Sequence, residues 1–286
     1  MNIKRTKHMK KLIFSLALGA ICCLATMAQT ENPRGVYKLI TLDGRAGLVN
    51  APLDQYKICT DSVTLMLNVQ GNKFQIGRSD NEILNYTGEK ADAEDDHSTR
   101  IYDSNAEHFT LKWWSENPNS PFFPAKGWCT EYYEAGKYSP EAKVFFDVLM
   151  NPAIVEEKNS NPFIGTWRFV GYMDELRNTK KEVARLLEEY PQSKYYNWRF
   201  RVFQPERLIQ VVQQIGIHGK AEYDGKGTYI YNGNENTVKW LSKDILADPF
   251  TNDYRTDYEI WQRVTDDTPL INYISSRLAL AKHVGR

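Results

Sequence analysis

The sequence predicts a mainly β protein in which one antiparallel unit of about 130 residues is used twice, each copy ending in a helix. Three observations lead to this prediction. Short motifs recur at a nearly constant displacement, strand-like runs alternate with turn residues, and a hydroxyl residue followed by proline stands near the end of each copy.

The recurring motifs are the first observation. Gly35 in Asn32-Pro33-Arg34-Gly35 returns as Gly165 in Asn161-Pro162-Phe163-Ile164-Gly165, a displacement of 130 residues. The other matches keep displacements of 126 to 129 residues, which indicates a duplication rather than a chance alignment. They pair Thr99, Ile101 and Tyr102 with Thr228, Ile230 and Tyr231; Thr110, Lys112 and Trp113 with Thr237, Lys239 and Trp240; Thr130-Glu131-Tyr132 with Thr256-Asp257-Tyr258; and Ser139-Pro140 with Thr268-Pro269.

The strand pattern is the second observation. Short runs of β-branched and aromatic residues are separated by turn residues, and Gln204-Pro205-Glu206 marks a hairpin connection. Strands this short and closely spaced are typical of a barrel or a sandwich. The predicted strands are Val36 to Thr41, Val63 to Val69, Lys73 to Arg78, Thr99 to Tyr102, Phe109 to Trp114 and Cys129 to Glu134 in the first copy, and Trp198 to Phe203, Arg207 to Gln213, Gly227 to Tyr231, Thr237 to Leu241 and Asp257 to Arg263 in the second.

Helices are predicted at three places. Ser139-Pro140 and Thr268-Pro269 are N-cap and first-turn signals for helices over 142–149 and 270–281. A third helix is predicted over 174–190, because apolar residues recur there at helical spacing until Pro191 stops them.

The N-terminus resembles an export signal. Basic residues precede an apolar run from Leu12 to Ala25, and Thr26-Met27-Ala28 places small residues where a signal peptidase reads, so cleavage near Ala28 and a periplasmic or secreted protein are predicted. A lipid anchor on Cys22 or Cys23 is the less favoured alternative, since bulky residues precede both. The mature chain keeps 31 basic and 36 acidic residues, a net charge of −5, which disfavours a nucleic-acid partner.

The domain organisation follows from these signals. We expect a signal peptide over residues 1–28, a first domain over 29–150, a linker over 151–160 and a second domain over 161–286. No later apolar stretch approaches the length of a transmembrane span.

Two cysteines remain after cleavage, Cys59 and Cys129. An exported compartment permits a disulfide between them, although the spacing alone does not show whether they meet. Paired cysteines or histidines at metal-binding spacing do not occur, so neither a metal nor another cofactor is expected.

Gly165-Thr166-Trp167 at the start of a small antiparallel unit, with Arg263 just past the last strand, resembles the Gly-x-Trp motif of lipocalin-like proteins. More specifically, the chain is similar to secreted bacterial lipocalin-like proteins. The resemblance implies two tandem antiparallel barrels and an arginine stacked on the indole of Trp167, a structural feature rather than a catalytic one. The first copy departs from the motif: Gly35-Val36-Tyr37 replaces it, and Lys137 falls where Arg263 falls.

The leading functional hypothesis is a non-catalytic binding protein for a small apolar or amphipathic ligand, more expected in the second barrel. The candidate ligand-binding residues lie on predicted strands, where inward aromatics would line a pocket. Arg199 and Arg201 share one strand face: turned inward they would clamp a carboxylate, and turned outward on a solvated face, which is the favoured direction, they would face water. Whether the barrel is hollow or packed stays open. The candidates are Trp198, Arg199, Phe200, Arg201, Tyr229 and Trp240.

Two alternatives remain. Exposed aromatics in the connection from Ser115 to Gly127, including Phe122 and Phe123, would suit a protein- or glycan-interaction module. A hydrolase with paired carboxylates is the third reading; no nucleophile elbow, phosphate-binding glycine loop or zinc motif occurs, and no catalytic residue is assigned.

Overall fold

The computed structural model describes residues 34–60, 64–78, 100–102, 104–151, 161–174, 176, 179–191, 199–251 and 256–281. The predicted signal peptide and nearly all of the predicted linker lie outside these residues, as does Trp198. The described chain is mainly β, with antiparallel strands and three helices, so the predicted fold class is confirmed at this level.

The first half of the chain contributes eight described strands. The strand starting at Gly35 is their centre, because its length lets it pair with the next two strands on one side and with the last strand on the other. In chain order they are β1 (Gly35–Gly44), β2 (Gly47–Asn50), β3 (Asp54–Cys59), β4 (Thr64–Gln70), β5 (Lys73–Arg78), β6 (Arg100–Tyr102), β7 (His108–Ser115) and β8 (Gly127–Ala135). Across the sheet the order is β6, β7, β8, β1, β3, β4, β5.

The second half repeats this arrangement with nine described strands. They are β9 (Gly165–Asp174), β10 (Arg199–Gln204), β11 (Arg207–Val212), β12 (Ile215–Tyr223), β13 (Thr228–Tyr231), β14 (Asn234–Thr237), β15 (Lys239–Ser242), β16 (Ile245–Thr251) and β17 (Thr256–Arg263). Across the sheet the order is β14, β13, β12, β11, β10, β9, β17, β16, β15.

The two halves share their pairing pattern in detail. β9 lies between β10 and β17 as β1 lies between β3 and β8. A β-bulge skips Ile40 in β1 and Val170 in β9, positions 130 residues apart. A bulge bends and twists a strand at one point, so both halves bend at the same place.

The pairing of the last strand of each half with the first corrects one predicted match between the two copies. Arg263 lies opposite Trp167, whereas the residue opposite Tyr37 is Ala135, so the last strands match at a displacement of 128 rather than 126 residues. Lys137 follows the end of β8 and forms an ion pair with Glu134 at the surface. A two-residue error keeps every side chain on its own face, which is why the sequence motif still matched.

A short ladder between β5 and β12 joins the halves. Phe74 pairs with Gly216, and the Ile76 amide donates to the Gln214 carbonyl at 2.8 Å. A Cβ at Gly216 would lie 1.7 Å from the Phe74 ring, so only glycine lets the two strands approach here. The result is one continuous antiparallel sheet across both halves.

Three helices cover the outer face of this sheet: α1 (Pro140–Leu149), α2 (Thr179–Glu189) and α3 (Leu270–Ala281). The α1 cap forms as expected, since the Ser139 hydroxyl accepts from the Ala142 amide at 3.0 Å with Pro140 in the first turn. None of the helices in the described ranges is long and apolar enough to cross a membrane.

Each half curls around its own apolar core. In the second half the Tyr229 hydroxyl donates to Asp248 at 3.2 Å, although five strands separate β13 from β16 in the sheet order. Within the described residues no ladder joins β14 to β15, so the sheet curls without closing. A third core, between the halves, packs α1 and α3 against the outer faces of β3 to β5 and of β10 and β11.

Candidate functional site

The side chains of β10 define an inner and an outer face. Phe200 and Val202 point outward into the core shared with α1 and α3, where Phe200 stacks on Tyr273 with ring centroids 6.2 Å apart. Arg199 and Arg201 alternate with them and therefore point inward. The sequence left both directions open and favoured solvated arginines; the structure shows the opposite.

Both arginines are held by carboxylates across the interior. Arg201 donates to Asp248 of β16 and, at 3.3 Å, to Glu259 of β17. Arg199 donates to Glu259 at 2.6 Å and to the Tyr172 hydroxyl at 3.0 Å. These ion pairs link β10 to β17 and β16, which lie beyond β9 in the sheet order.

Aromatic rings form the wall behind the guanidinium groups. The guanidinium carbon of Arg201 lies 4.1 Å from the ring centroid of Trp261, and that of Arg199 lies 4.4 Å from Phe169 and 5.5 Å from Trp261. Cations over aromatic faces gain from the ring quadrupole, most of all where water is excluded. Arg199, Arg201, Asp248, Glu259 and Trp261 are called the arginine cluster below.

The cluster is buried yet charged. Burial lowers the pKa of Arg201, but attraction to the carboxylates of Asp248 and Glu259 outweighs this effect, so its pKa is raised overall. Burial likewise raises the pKa of Tyr229, which stays a neutral hydrogen-bond donor to Asp248. The arginine cluster therefore holds two cations balanced by two carboxylates.

Two donors of the arginine cluster have no acceptor in the described structure. They are the indole N–H of Trp261, a residue only 2% exposed, and the Nε–H of Arg199. An unpaired buried donor costs free energy comparable to a lost hydrogen bond, and native proteins rarely keep one without a reason.

The cluster lies toward one end of the second half. Side-chain exposure along the inner face of β10 falls from 22% at Arg199 to 11% at Arg201. Beside Arg199, Tyr172 is 53% exposed and stacks edge-on against the exposed Phe250. The arginine cluster thus adjoins solvent through an aromatic rim.

The opposite end is sealed by the Trp167 motif. The Arg263 guanidinium lies 4.4 Å over the Trp167 ring and donates to the carbonyls of Ile164 and Pro162 at 2.7 and 2.6 Å. The Trp167 indole donates to the Phe163 carbonyl at 2.8 Å, and Trp240 packs on both rings. Every polar group named here has a partner, so this end is structural.

The first half has a counterpart of the cluster. Lys57 lies opposite Tyr37 as Arg201 lies opposite Trp167, and Tyr133 lies opposite Leu39 as Trp261 lies opposite Phe169. By the same register Glu131 corresponds to Glu259. Here Tyr133 donates to Glu131 at 2.7 Å and accepts from Gln55 at 2.9 Å, and Lys57 and Glu131 are each 4% exposed. This counterpart is therefore closed to solvent.

The structure therefore places the predicted ligand-binding residues in different regions of the fold. Arg199, Arg201 and Tyr229 meet in the interior, whereas Trp240 lies at the sealed end and Phe200 on the other face of β10. Trp198 lies outside the described residues. The partners that complete the site, Asp248, Glu259, Trp261 and Tyr172, were not predicted from the sequence.

Only some of these residues could have been placed at the site from the sequence. Glu259 and Trp261 alternate with Ile260 on a predicted strand, which puts both on one face. Asp248 precedes Pro249 in a segment that was not predicted as a strand, and only the ladder with β17 places it opposite Glu259. The curl that brings β10 to β16 is a tertiary feature.

The disulfide that an exported compartment would permit does not form in the structure. Cys59 and Cys129 are both free, buried thiols. Cys59 lies opposite Gly35 at one end of β1, and Cys129 adjoins Thr130, which lies opposite Asp43 at the other end. Eight residues of strand separate these points, about 25 Å, far beyond disulfide reach. Burial raises the pKa of Cys59 to about 11 and, with Glu131 and Asp43, that of Cys129 to about 12.

The connection from Ser115 to Gly127 is packed rather than free. Phe123 makes an edge contact with Trp113 at 4.9 Å, and the Phe122 carbonyl accepts from the Arg45 amide at 3.1 Å. Further partly exposed aromatics lie on the outer face of β7 and β8. There Trp114 and Trp128 pack at 5.5 Å, and Tyr132 is largely exposed.

Asp248 and Glu259 are adjacent carboxylates, as a hydrolase would require, but Arg201 binds both and occupies the space between them. No group of three or more potential metal ligands occurs among the residues that the structure describes.

No described protein family matches the sequence, and no curated protein is detectably similar to it. The site must therefore be interpreted from its own geometry.

Proposed function

We propose that this chain is a secreted, non-catalytic binding protein built of two tandem lipocalin-like barrels, and that the second barrel holds a small amphipathic ligand at the arginine cluster. The barrel interpretation is supported by the curled sheet of each half and by the Trp167 and Arg263 contact. Export is supported by the N-terminal sequence.

One observation carries the binding proposal: two inward arginines stack on an aromatic wall and adjoin solvent at an exposed aromatic rim. Ligand sites typically combine apolar walls with a few convergent polar groups, and this end of the second half offers an aromatic wall and two inward arginines. The first half offers the same elements only in a closed form, so it serves as scaffold.

The test is retention of a ligand by the mature chain purified from an exporting host. Native mass spectrometry is expected to show a mass above that of the polypeptide, and extraction with organic solvent should release an amphipathic small molecule. A native mass equal to the polypeptide, together with no uptake from a panel of amphipathic probes, would contradict the proposal.

A matched pair of surface variants locates the site. Tyr172→Ala removes the rim, and Tyr138→Ala removes a similarly exposed tyrosine, 44% against 53%, from the first half. We expect only Tyr172→Ala to weaken retention. Equal effects of the two variants would place the ligand elsewhere.

A second candidate, a glycan-interaction surface, is favoured by the outer face of β7 and β8. Trp114 and Trp128 lie there beside Lys112, whose ammonium is 5.1 Å from the Trp128 ring, and beside Tyr132. Aromatic planes flanked by polar groups suit sugar rings. Loss of glycan-array binding in the double variant Trp128→Ala/Tyr132→Ala would support this function, and an array without any bound glycan would reject it.

A further inference from the structure

A polar hollow lies where the two halves of the chain meet. It has a volume of about 630 Å³ and is open to solvent. The second half lines it with the hairpin that joins β10 to β11 and with the facing part of β12, and the first half contributes Asn72 from the turn between β4 and β5. The hollow is separate from the arginine cluster, which lies on the inner face of β10.

Three nitrogen-bearing side chains share the outer face of β11 and β12 at this hollow. Ile209 and Val211 point into the core beneath α1 and α3, and Arg207, two residues earlier on the same strand, therefore shares their face. Lys220 lies opposite Arg207 and His218 lies opposite Ile209, so both β12 residues are on this face as well. A guanidinium, an ammonium and an imidazole thus lie side by side around the hollow.

His218 is held in place from two directions. Its backbone amide donates to the Asn72 carbonyl at 3.0 Å, and its own carbonyl accepts from the Asn72 side-chain amide at 2.9 Å. The centroid of its ring lies 5.2 Å from that of Phe145 in α1. One wall of the hollow is therefore fixed without a ligand, which lowers the entropy cost of binding one.

The positive charge at the hollow is only partly matched by the protein. The Arg207 side chain forms no ion pair or hydrogen bond with any residue that the structure describes. Lys220 pairs with Glu222 at 2.7 Å, but the two side chains are 77% and 59% exposed, so Lys220 can exchange this partner at little cost. Glu206 is the one carboxylate among the described lining residues, against two cations. Burial and, second, the charge of Arg207 lower the pKa of His218.

A tetrahedral oxyanion suits this arrangement better than a carboxylate. Its oxygens point in several directions and can accept from Arg207, Lys220 and His218 together, whereas a carboxylate presents two oxygens in one plane. Like charges that face each other across two strands are destabilising, and an anion between Arg207 and Lys220 would relieve this repulsion.

We propose that this hollow binds the phosphate or sulfate group of a small molecule, with Arg207 as the main donor and with Lys220 and His218 as further donors. The hollow and the arginine cluster lie on opposite faces of the sheet and share no residue. The inference therefore goes beyond the proposed function and is tested separately from it.

The experiment is an NMR titration of the mature full-length chain with inorganic phosphate, sulfate and acetate at constant pH and ionic strength. The imidazole signals of His218 are assigned with the variant His218→Gln. We expect these signals to shift to saturation with phosphate or sulfate, and acetate to bind at least tenfold more weakly. The tighter of the two oxyanions identifies the group. Shifts that stay linear in the concentration of both oxyanions, or acetate binding as tight as theirs, would overturn the proposal.

Variants test the donors. Arg207→Gln is expected to weaken binding of the oxyanion about tenfold or more, because it removes a charge-assisted hydrogen bond. Arg185→Gln removes the same charge from the exposed face of α2 and is the matched control, which should leave the affinity unchanged. If Arg207→Gln does not fold, Lys220→Gln changes a side chain that is 77% exposed and is expected to weaken binding several-fold. Equal affinities of the folded hollow variant and of Arg185→Gln would contradict the proposed site.

Discussion

Replacing Arg201 by methionine tests whether the arginine cluster is buried and paired. The side chains of Arg201, Asp248 and Glu259 are 11%, 9% and 13% exposed, so the substitution would leave carboxylates buried without their cation. Removing one partner of such a pair costs about 3 to 5 kcal/mol. Glu259 keeps Arg199 and Asp248 keeps the Tyr229 hydroxyl, so we expect the lower end, about 3 kcal/mol.

The assay is equilibrium urea unfolding of the parent chain and the variant. Arg185→Met is the matched control: Arg185 pairs with Glu182 and Glu189 on the exposed face of α2, where solvent screening leaves such pairs little net effect on stability. The double variant Arg201→Met/Asp248→Asn should recover part of the loss, because it also removes the stranded charge. A loss for Arg201→Met no larger than that for Arg185→Met would refute the description of the cluster.

Three further predictions concern the fold. Gly216→Ala is expected to destabilise the chain by about 1 to 3 kcal/mol through the clash with Phe74. The control Gly77→Ala is not expected to do so, because no atom lies within 4 Å of the added Cβ. Equal melting temperatures of the two variants would contradict the contact between β5 and β12. Cys59 and Cys129 should both titrate as free thiols in denaturant. In the native protein both should react slowly with a thiol reagent at pH 8, because their pKa values are raised. An intact mass two daltons below the reduced mass would show a disulfide and contradict this prediction. Backbone hydrogen bonds from Gly227, Lys226 and Thr228 lower the pKa of Asp224 to about 2, so its stabilisation is present above about pH 4 and is lost as the pH falls through about 2. Asp224→Asn should therefore destabilise the chain at pH 7 but not near pH 2, and a variant that is equally destabilised at both values would argue against this.

Much of the fold was predictable because strand and cap signals are local. The cap at Ser139-Pro140 and the helix over 270–281 formed as predicted, and most predicted strands lie within one or two residues of observed ones. The strands β2, β3, β12, β14 and β16 were missed. In β3 only Tyr56 and Ile58 favour a strand, since the polar Gln55 and Lys57 alternate with them, and β12 contains Gly216 and Gly219, which lower its strand propensity.

The site was less predictable because it depends on long-range geometry. Alternation alone correctly put Arg199 and Arg201 on one face, but either face of an isolated strand can be the inner one. The direction was decided by the core between the halves, which buries Phe200 and Val202 under α1 and α3. The carboxylates that hold the arginines come from strands 47 to 60 residues further along the chain, and no local pattern links them.

The central claim, a ligand held at the arginine cluster of the second half, is tested most directly by a crystal structure of the mature chain purified without extraction. We expect ligand density in contact with the arginine cluster, extending along Tyr172 toward solvent. A structure with no density beyond ordered water in contact with the arginine cluster would contradict it.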